Sequence, residues 1–198
     1  MSTPSKVRLA TDDALIVTDI QHDFLPGGRL AVLHGDEVIP VLNRYIALFR
    51  CRSLTIFATR DWHPPDHCSF RSHGGPWPIH CVADTHGAAF SEKLDLPADA
   101  IVISKATRSE REAYSSFEGT DLNRRLREEG IHRLFVGGLT TEYCVLATAK
   151  DAVHNGYRVV LLIDAIRAID VTPGDGERAI DEMLRLGATP LCLEAVAA

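Results

Sequence analysis

Three side chains that can act together in nucleophilic catalysis stand at or just after the ends of apolar runs. Asp19 follows ALIVT, Lys105 follows AIVIS, and Cys144 follows the glycine-led stretch GGLTTEY. A thiol at the start of a helix feels the positive end of the helix dipole, which favours the thiolate and makes the sulfur a nucleophile. A carboxylate held beside it can take the thiol proton, so no histidine is needed. A lysine can hold the resulting thiolate. The plain alternatives are an inert buried cysteine, a capping aspartate and a solvated lysine. An acid, a base and a thiol that all sit where strands of one sheet end favour the joint reading.

A second constellation is Asp61-Trp62-His63, with His80 further on. Side chains of an extended segment alternate, so Asp61 and His63 share one side. With His80 they offer three O/N ligands and leave positions for water or substrate. Such a set suits Zn2+, with Fe2+ or Mn2+ as alternatives, and is too rich in nitrogen for calcium. On its own Asp-x-His is a weak motif in a chain with 9 histidines. His67 is a candidate fourth ligand, whereas His73 and His86 read as loop residues. Cys51, Cys68, Cys81 and Cys192 read as structural.

Something must bring these groups together, and the hydrophobic pattern says what. Short apolar runs at residues 14–18, 54–59, 100–104, 133–136, 158–163 and 189–193 read as strands. Helical spacing at 38–49, 122–129, 142–154 and 176–186 reads as helices between them. This alternation predicts an α/β fold, a Rossmann-like three-layer α/β/α sandwich with a mostly parallel sheet of about six strands. Such sheets bind ligands beyond the carboxyl ends of their strands, where the candidate residues lie. Residues 64–92 break the pattern with a stretch rich in Pro, Gly, His and Trp, read as one large working loop, so that 61–92 carries the metal ligands.

The whole chain, 1–198, reads as a single domain. Its 45% hydrophobic and 24% charged residues are those of a globular protein. A net charge of −6 argues against nucleic acid as a partner. No apolar run approaches the roughly 18 residues of a membrane span, and MSTPSKVRLATDD lacks a signal-peptide core. Five widely spaced cysteines suit a reducing, cytoplasmic location.

With these residues assembled, the chain resembles the nicotinamidase/pyrazinamidase branch of the isochorismatase-like cysteine hydrolases. The resemblance rests on 19–28 (DIQHDFLPGG), 61–70 (DWHPPDHCSF), 77–82 (WPIHCV), 85–90 (THGAAF), Lys105, 113–119 (AYSSFEG) and 138–145 (GLTTEYCV). It implies the isochorismatase-like hydrolase fold, a triad of Asp19, Lys105 and Cys144, and one divalent metal ion on Asp61, His63 and His80, with His67 a ligand in some relatives. It also implies a cis peptide between Leu139 and Thr140 and an oxyanion hole formed by the N–H groups of Thr140 and Cys144. Phe24, Trp77 and Tyr114 would line the pocket for an aromatic carboxamide. The implied reaction is hydrolysis of nicotinamide, and of the nearly isosteric pyrazinamide, to the acid and ammonia through a thioester on Cys144.

Three places depart from the family pattern. Ala83-Asp84 stands where Gln-Gly is common, Ala106-Thr107-Arg108 where Gly-Thr-Asp is common, and Glu142 where Asp is usual. None removes a catalytic or metal position. Another amidase or a ureide hydrolase would keep the triad without needing the metal set, and a non-catalytic metal-binding module would keep the fold alone. A small molecule is the expected partner. The oligomeric state, homo-oligomer or monomer, is left open.

Overall fold

A computed structural model describes residues 6–197. The first five residues, part of the N-terminal stretch considered above, lie outside it. The strands are β1 (Asp13–Thr18), β2 (Thr55–Asp61), β3 (Ile101–Lys105), β4 (Arg133–Leu139), β5 (Arg158–Arg167) and β6 (Thr189–Leu191). The helices are α1 (Val38–Cys51), α2 (Leu122–Glu128), α3 (Leu146–His154) and α4 (Asp175–Arg185). The six strands form one sheet in the order β3-β2-β1-β4-β5-β6, and every pairing is parallel. This is the expected three-layer arrangement.

Alternation along the strands divides the core in two. Leu15, Val17 and Phe135 point to the face covered by Leu42, Tyr45, Ile46 and Phe49 of α1. Ala14, Ile16, Leu134 and Val136 point to the opposite face, against Leu122 and Leu126 of α2, Ala149 and Ala152 of α3, and Met183 of α4. Pro40 is harmless in α1 because it falls in the first turn, where its missing N–H has no helical partner. Gly156 ends the turn after α3 with a φ of 91°.

The differences from the sequence reading lie at the strand ends. Asp61 and Lys105 are the last residues of β2 and β3, so the sheet itself holds them. β4 does not stop at Gly137-Gly138 but runs through both to Leu139. Gly138 permits this: at a φ of 124° its Cα passes so close to the backbone of Thr18 that a side chain would collide with it. β5 reaches Arg167 because its pairing with β4 is irregular, Val136 facing Leu161 while Gly138 faces Ile166. The helix expected from residue 142 begins instead as a π-helical turn, Thr141–Val145, and becomes α-helical at Leu146. Such turns are often found at functional sites.

Chain order reverses on either side of β1, whose neighbours are β2 and β4. The crevice beyond this switch point is where an open parallel sheet receives a ligand.

Candidate active site

Register brings the candidate triad residues together. Asp61 and Lys105 are direct partners across β2 and β3, and Thr18, just before Asp19, pairs with Thr59 and Gly138. Asp19 leaves β1 at a φ of 51°, a left-handed conformation uncommon outside glycine, and this turns its carboxylate into the crevice. Its Oδ1 accepts a 2.6 Å hydrogen bond from Thr59 Oγ1. Its Oδ2 lies 3.0 Å from Lys105 Nζ, an ion pair without an aligned hydrogen bond, which leaves that oxygen able to take a proton. Lys105 Nζ also lies 3.3 Å from Cys144 Sγ and pairs with Asp61 Oδ1. Asp19, Thr59, Asp61, Lys105 and Cys144 are all buried.

Burial governs the protonation of this cluster. It pushes the Asp19 carboxyl up, with Lys105 pulling it part of the way back. Burial alone would raise Asp61 too, but Lys105, His63 and His80 outweigh it and hold that carboxylate below the usual range. Desolvation would discharge Lys105, yet Asp19 and Asp61 keep its pKa well above the ordinary lysine value. For Cys144 the outcome corrects the helix-dipole expectation. Burial raises the thiol well above its ordinary value, and Lys105 offsets this only in part because two carboxylates oppose it. The surroundings therefore favour the neutral thiol over the thiolate, which gives a neighbouring base a proton to remove.

Beside this cluster, Asp61, His63 and His80 are all buried, and their donor atoms lie within 4.8 Å of one another. The working loop makes this possible by folding back on itself. His63 N–H donates to the Cys81 carbonyl at 3.0 Å, and Ala83 N–H donates to the His63 carbonyl at 2.8 Å. Each imidazole is fixed through Nδ1, His63 at 3.0 Å from the His80 carbonyl and His80 at 2.8 Å from the Pro78 carbonyl. A carbonyl only accepts, so Nδ1 carries the proton and the Nε2 lone pair is left to ligate, an arrangement common at metal sites. Burial lowers the pKa of His63 to about 4, so the ring is neutral near pH 7. The residues fit a divalent ion of the Zn2+, Fe2+ or Mn2+ type. The structure does not bring His67 into this set. Its Nδ1 is 2.7 Å from Ser69 Oγ and its Nε2 3.1 Å from the Arg111 carbonyl, although the ring stands beside His63.

A small pocket opens between the two clusters. Phe24, Trp77 and Tyr114 line it as expected, together with Asp61, His80, Thr140 and Cys144. Trp77 Nε1 donates to Tyr114 Oη at 2.9 Å, which fixes both rings. Leu30, Tyr143 and Ile169 complete the wall and were not singled out from sequence. Tyr143 packs edge-on against Trp77 with centroids 5.0 Å apart. The Leu139–Thr140 peptide is cis, as the resemblance implies.

Two further residues escaped the sequence reading although both fall in DIQHDF. Gln21 Oε1 accepts from Asp61 N–H at 2.8 Å, while its Nε2 donates to the Asp61 carbonyl at 2.7 Å. Asp23 Oδ2 accepts from Cys81 N–H at 2.7 Å and so clasps the residue after His80. A buried amide and a buried carboxylate that serve only main chain leave no spacing signal.

The isochorismatase domain model matches residues 13–195. The chain belongs to the isochorismatase family. Within that family it is 36% identical over 197 residues to the nicotinamidase of Escherichia coli K12, covering 89% of this chain and 92% of that protein. A crystal structure of the pyrazinamidase of Pyrococcus horikoshii in complex with zinc matches with a TM-score of 0.88 at 52% identity, over 92% of this chain and 99% of that one. PnC1 from L. infantum in complex with nicotinate matches with a TM-score of 0.90 at 36% identity, over 98% and 99%. No helix among the described residues of this family member is long and apolar enough to cross a membrane.

Proposed function

We propose that this chain hydrolyses nicotinamide to nicotinate and ammonia, with pyrazinamide as a second substrate, through a thioester on Cys144. The observation that carries the reading is the position of Cys144 Sγ. It lies 3.3 Å from Lys105 Nζ, within the Asp19–Lys105 cluster, and lines an aromatic pocket shared with Asp61 and His80. The zinc-bound and nicotinate-bound relatives support it.

In this mechanism Asp19 takes the Cys144 proton on Oδ2, and the sulfur attacks the amide carbon. The N–H groups of Thr140 and Cys144 receive the oxyanion, each contributing about 3–4 kcal/mol to the transition state. Asp19 returns its proton to the nitrogen as the C–N bond breaks, ammonia leaves, and an acyl group remains on sulfur. Asp19 then draws a proton from water as the water oxygen attacks the thioester carbon. Nicotinate departs and the thiol is restored. Lys105 stays protonated throughout and holds the negative charge of the sulfur and of Asp19 close together.

Asp61, His63 and His80 would hold the ion, for which zinc is the first choice. When bound, it supplies a Lewis-acidic point that takes the ring nitrogen and orients the substrate. Phe24, Trp77 and Tyr114 close on the ring faces and exclude water. The proposed setting is the cytoplasm, where a free thiol persists.

Ammonia release from zinc-loaded protein given nicotinamide or benzamide tests the reading. Benzamide lacks the ring nitrogen, so release from nicotinamide and little or none from benzamide is expected. Equal rates, or no release from nicotinamide, would overturn it.

A further inference from the structure

A second group of metal-ligating side chains lies apart from the pocket and has no part in the chemistry above. His22, in the short turn after β1, and His86, in the turn that ends the working loop, stack with ring centroids 3.9 Å apart and planes 22° from parallel. Glu92 reaches the same place, its two oxygens 3.2 and 3.1 Å from His22 Nε2. One donor atom from each residue lies within 4.8 Å of the others. The resemblance to known hydrolases assigns none of the three a role.

From this convergence we infer that His22, His86 and Glu92 form a second divalent transition-metal site on the outer surface, distinct from Asp61–His63–His80. Two imidazoles and one carboxylate are the donor set that zinc and its borderline neighbours take, and water can fill the remaining positions. A carboxylate only accepts, so the proton between His22 Nε2 and Glu92 belongs to the ring. A metal ion replaces that proton, which moves to Nδ1 or to solvent. The backbone is already set for this. His22 N–H donates to the Ala89 carbonyl at 3.0 Å, and Gln21 bridges antiparallel to Phe90, so the segments bearing the ligands are fastened before any ion arrives.

His22 is partly buried while His86 and Glu92 are exposed, so this site binds zinc more weakly than the buried one and exchanges it freely. An ion here cross-links the segment that follows Asp19 to the end of the working loop. It therefore stabilises the pair of segments through which Gln21 and Asp23 support the buried ligands.

The test is equilibrium dialysis of the full chain at micromolar free zinc, with metal counted per protein. Two equivalents are expected for the wild type, one for His86→Ala, one for His22→Gln and one for His63→Ala. Because His86 is exposed, His86→Ala should fold normally, and its circular-dichroism spectrum verifies this. The wild type should also show a second, zinc-dependent rise in Tm after the first equivalent, absent in His86→Ala. A single equivalent in the wild type would overturn the assignment. So would two equivalents retained in both His86→Ala and His22→Gln, which would place the second ion at other surface histidines.

Discussion

Asp61 and Lys105 are register partners at the ends of two neighbouring parallel strands, and their side chains meet as a buried ion pair. One residue belongs to the proposed metal-ligand set and the other to the thiol cluster. The two halves of the site are therefore fixed to each other by sheet pairing. Loops alone would leave a substrate spanning both halves with an ill-defined distance between them.

Lys105→Met keeps the volume but leaves Asp19 and Asp61 as buried carboxylates without a cation. Breaking such a pair from one side costs about 3–5 kcal/mol. Urea denaturation should give a loss of that size, and ammonia release should fall to background. A loss below ~1 kcal/mol would mean that the carboxylates are not charged against Lys105.

Protonation of His63 supplies a pH dependence. In metal-stripped protein its folded pKa is about 4, below the ordinary value of 6.5, because the ring is buried. The unfolded chain therefore binds the proton more readily. The contribution is fully present above pH 6.5 and is lost as pH falls towards 4. Thermal melts of stripped protein between these values should decline with acid, and the decline should be shallower in His63→Asn. Parallel slopes in the two proteins would contradict the assignment.

Glu142 stands where the family commonly has Asp, and the structure gives it work. Its carboxylate accepts the N–H of Asp170 at 2.7 Å and of Ile169 at 3.3 Å, and Ile169 lines the pocket. Glu142→Ala should raise KM about 5–10-fold, on the order of 1 kcal/mol, with kcat much less affected. Glu142→Gln keeps an acceptor and should recover most of the loss. Equal damage from both variants would mean that charge, and not the placement of Ile169, is what matters.

Ala106 is a departure with a cost. It follows Lys105 at a φ of 52°, where an L side chain is strained by about 1–2 kcal/mol. Glycine removes that strain but loses roughly 0.5–1 kcal/mol of chain entropy. Ala106→Gly should therefore stabilise the protein by ~0.5–1 kcal/mol in chemical denaturation. Destabilisation, the usual sign of an alanine-to-glycine change, would argue against the left-handed backbone.

Much of this was legible in the sequence because the chemistry sits on the simplest elements. Asp19, Asp61 and Lys105 each close an apolar run, and a parallel sheet aligns strand ends by register. His80 has no strand end to mark it, because its return to His63 depends on main-chain bonds within the working loop. The extension of β4 through two glycines was missed because glycine reads as a turn, although here it permits close passage by Thr18. Gln21 and Asp23 act through backbone groups and leave no periodic trace. The state of the Cys144 sulfur depends on more than local sequence, because its buried surroundings oppose the helix terminus. A helix terminus is a local feature, whereas burial beside two carboxylates is collective and outweighs it.

In the proposed reaction Cys144 Sγ forms the acyl bond. The most direct test is ammonia release from nicotinamide by Cys144→Ala, compared with wild type at equal zinc content. Full metal occupancy, an unchanged fold and no turnover above background are expected. Turnover near the wild-type rate in that variant would contradict this role of Cys144.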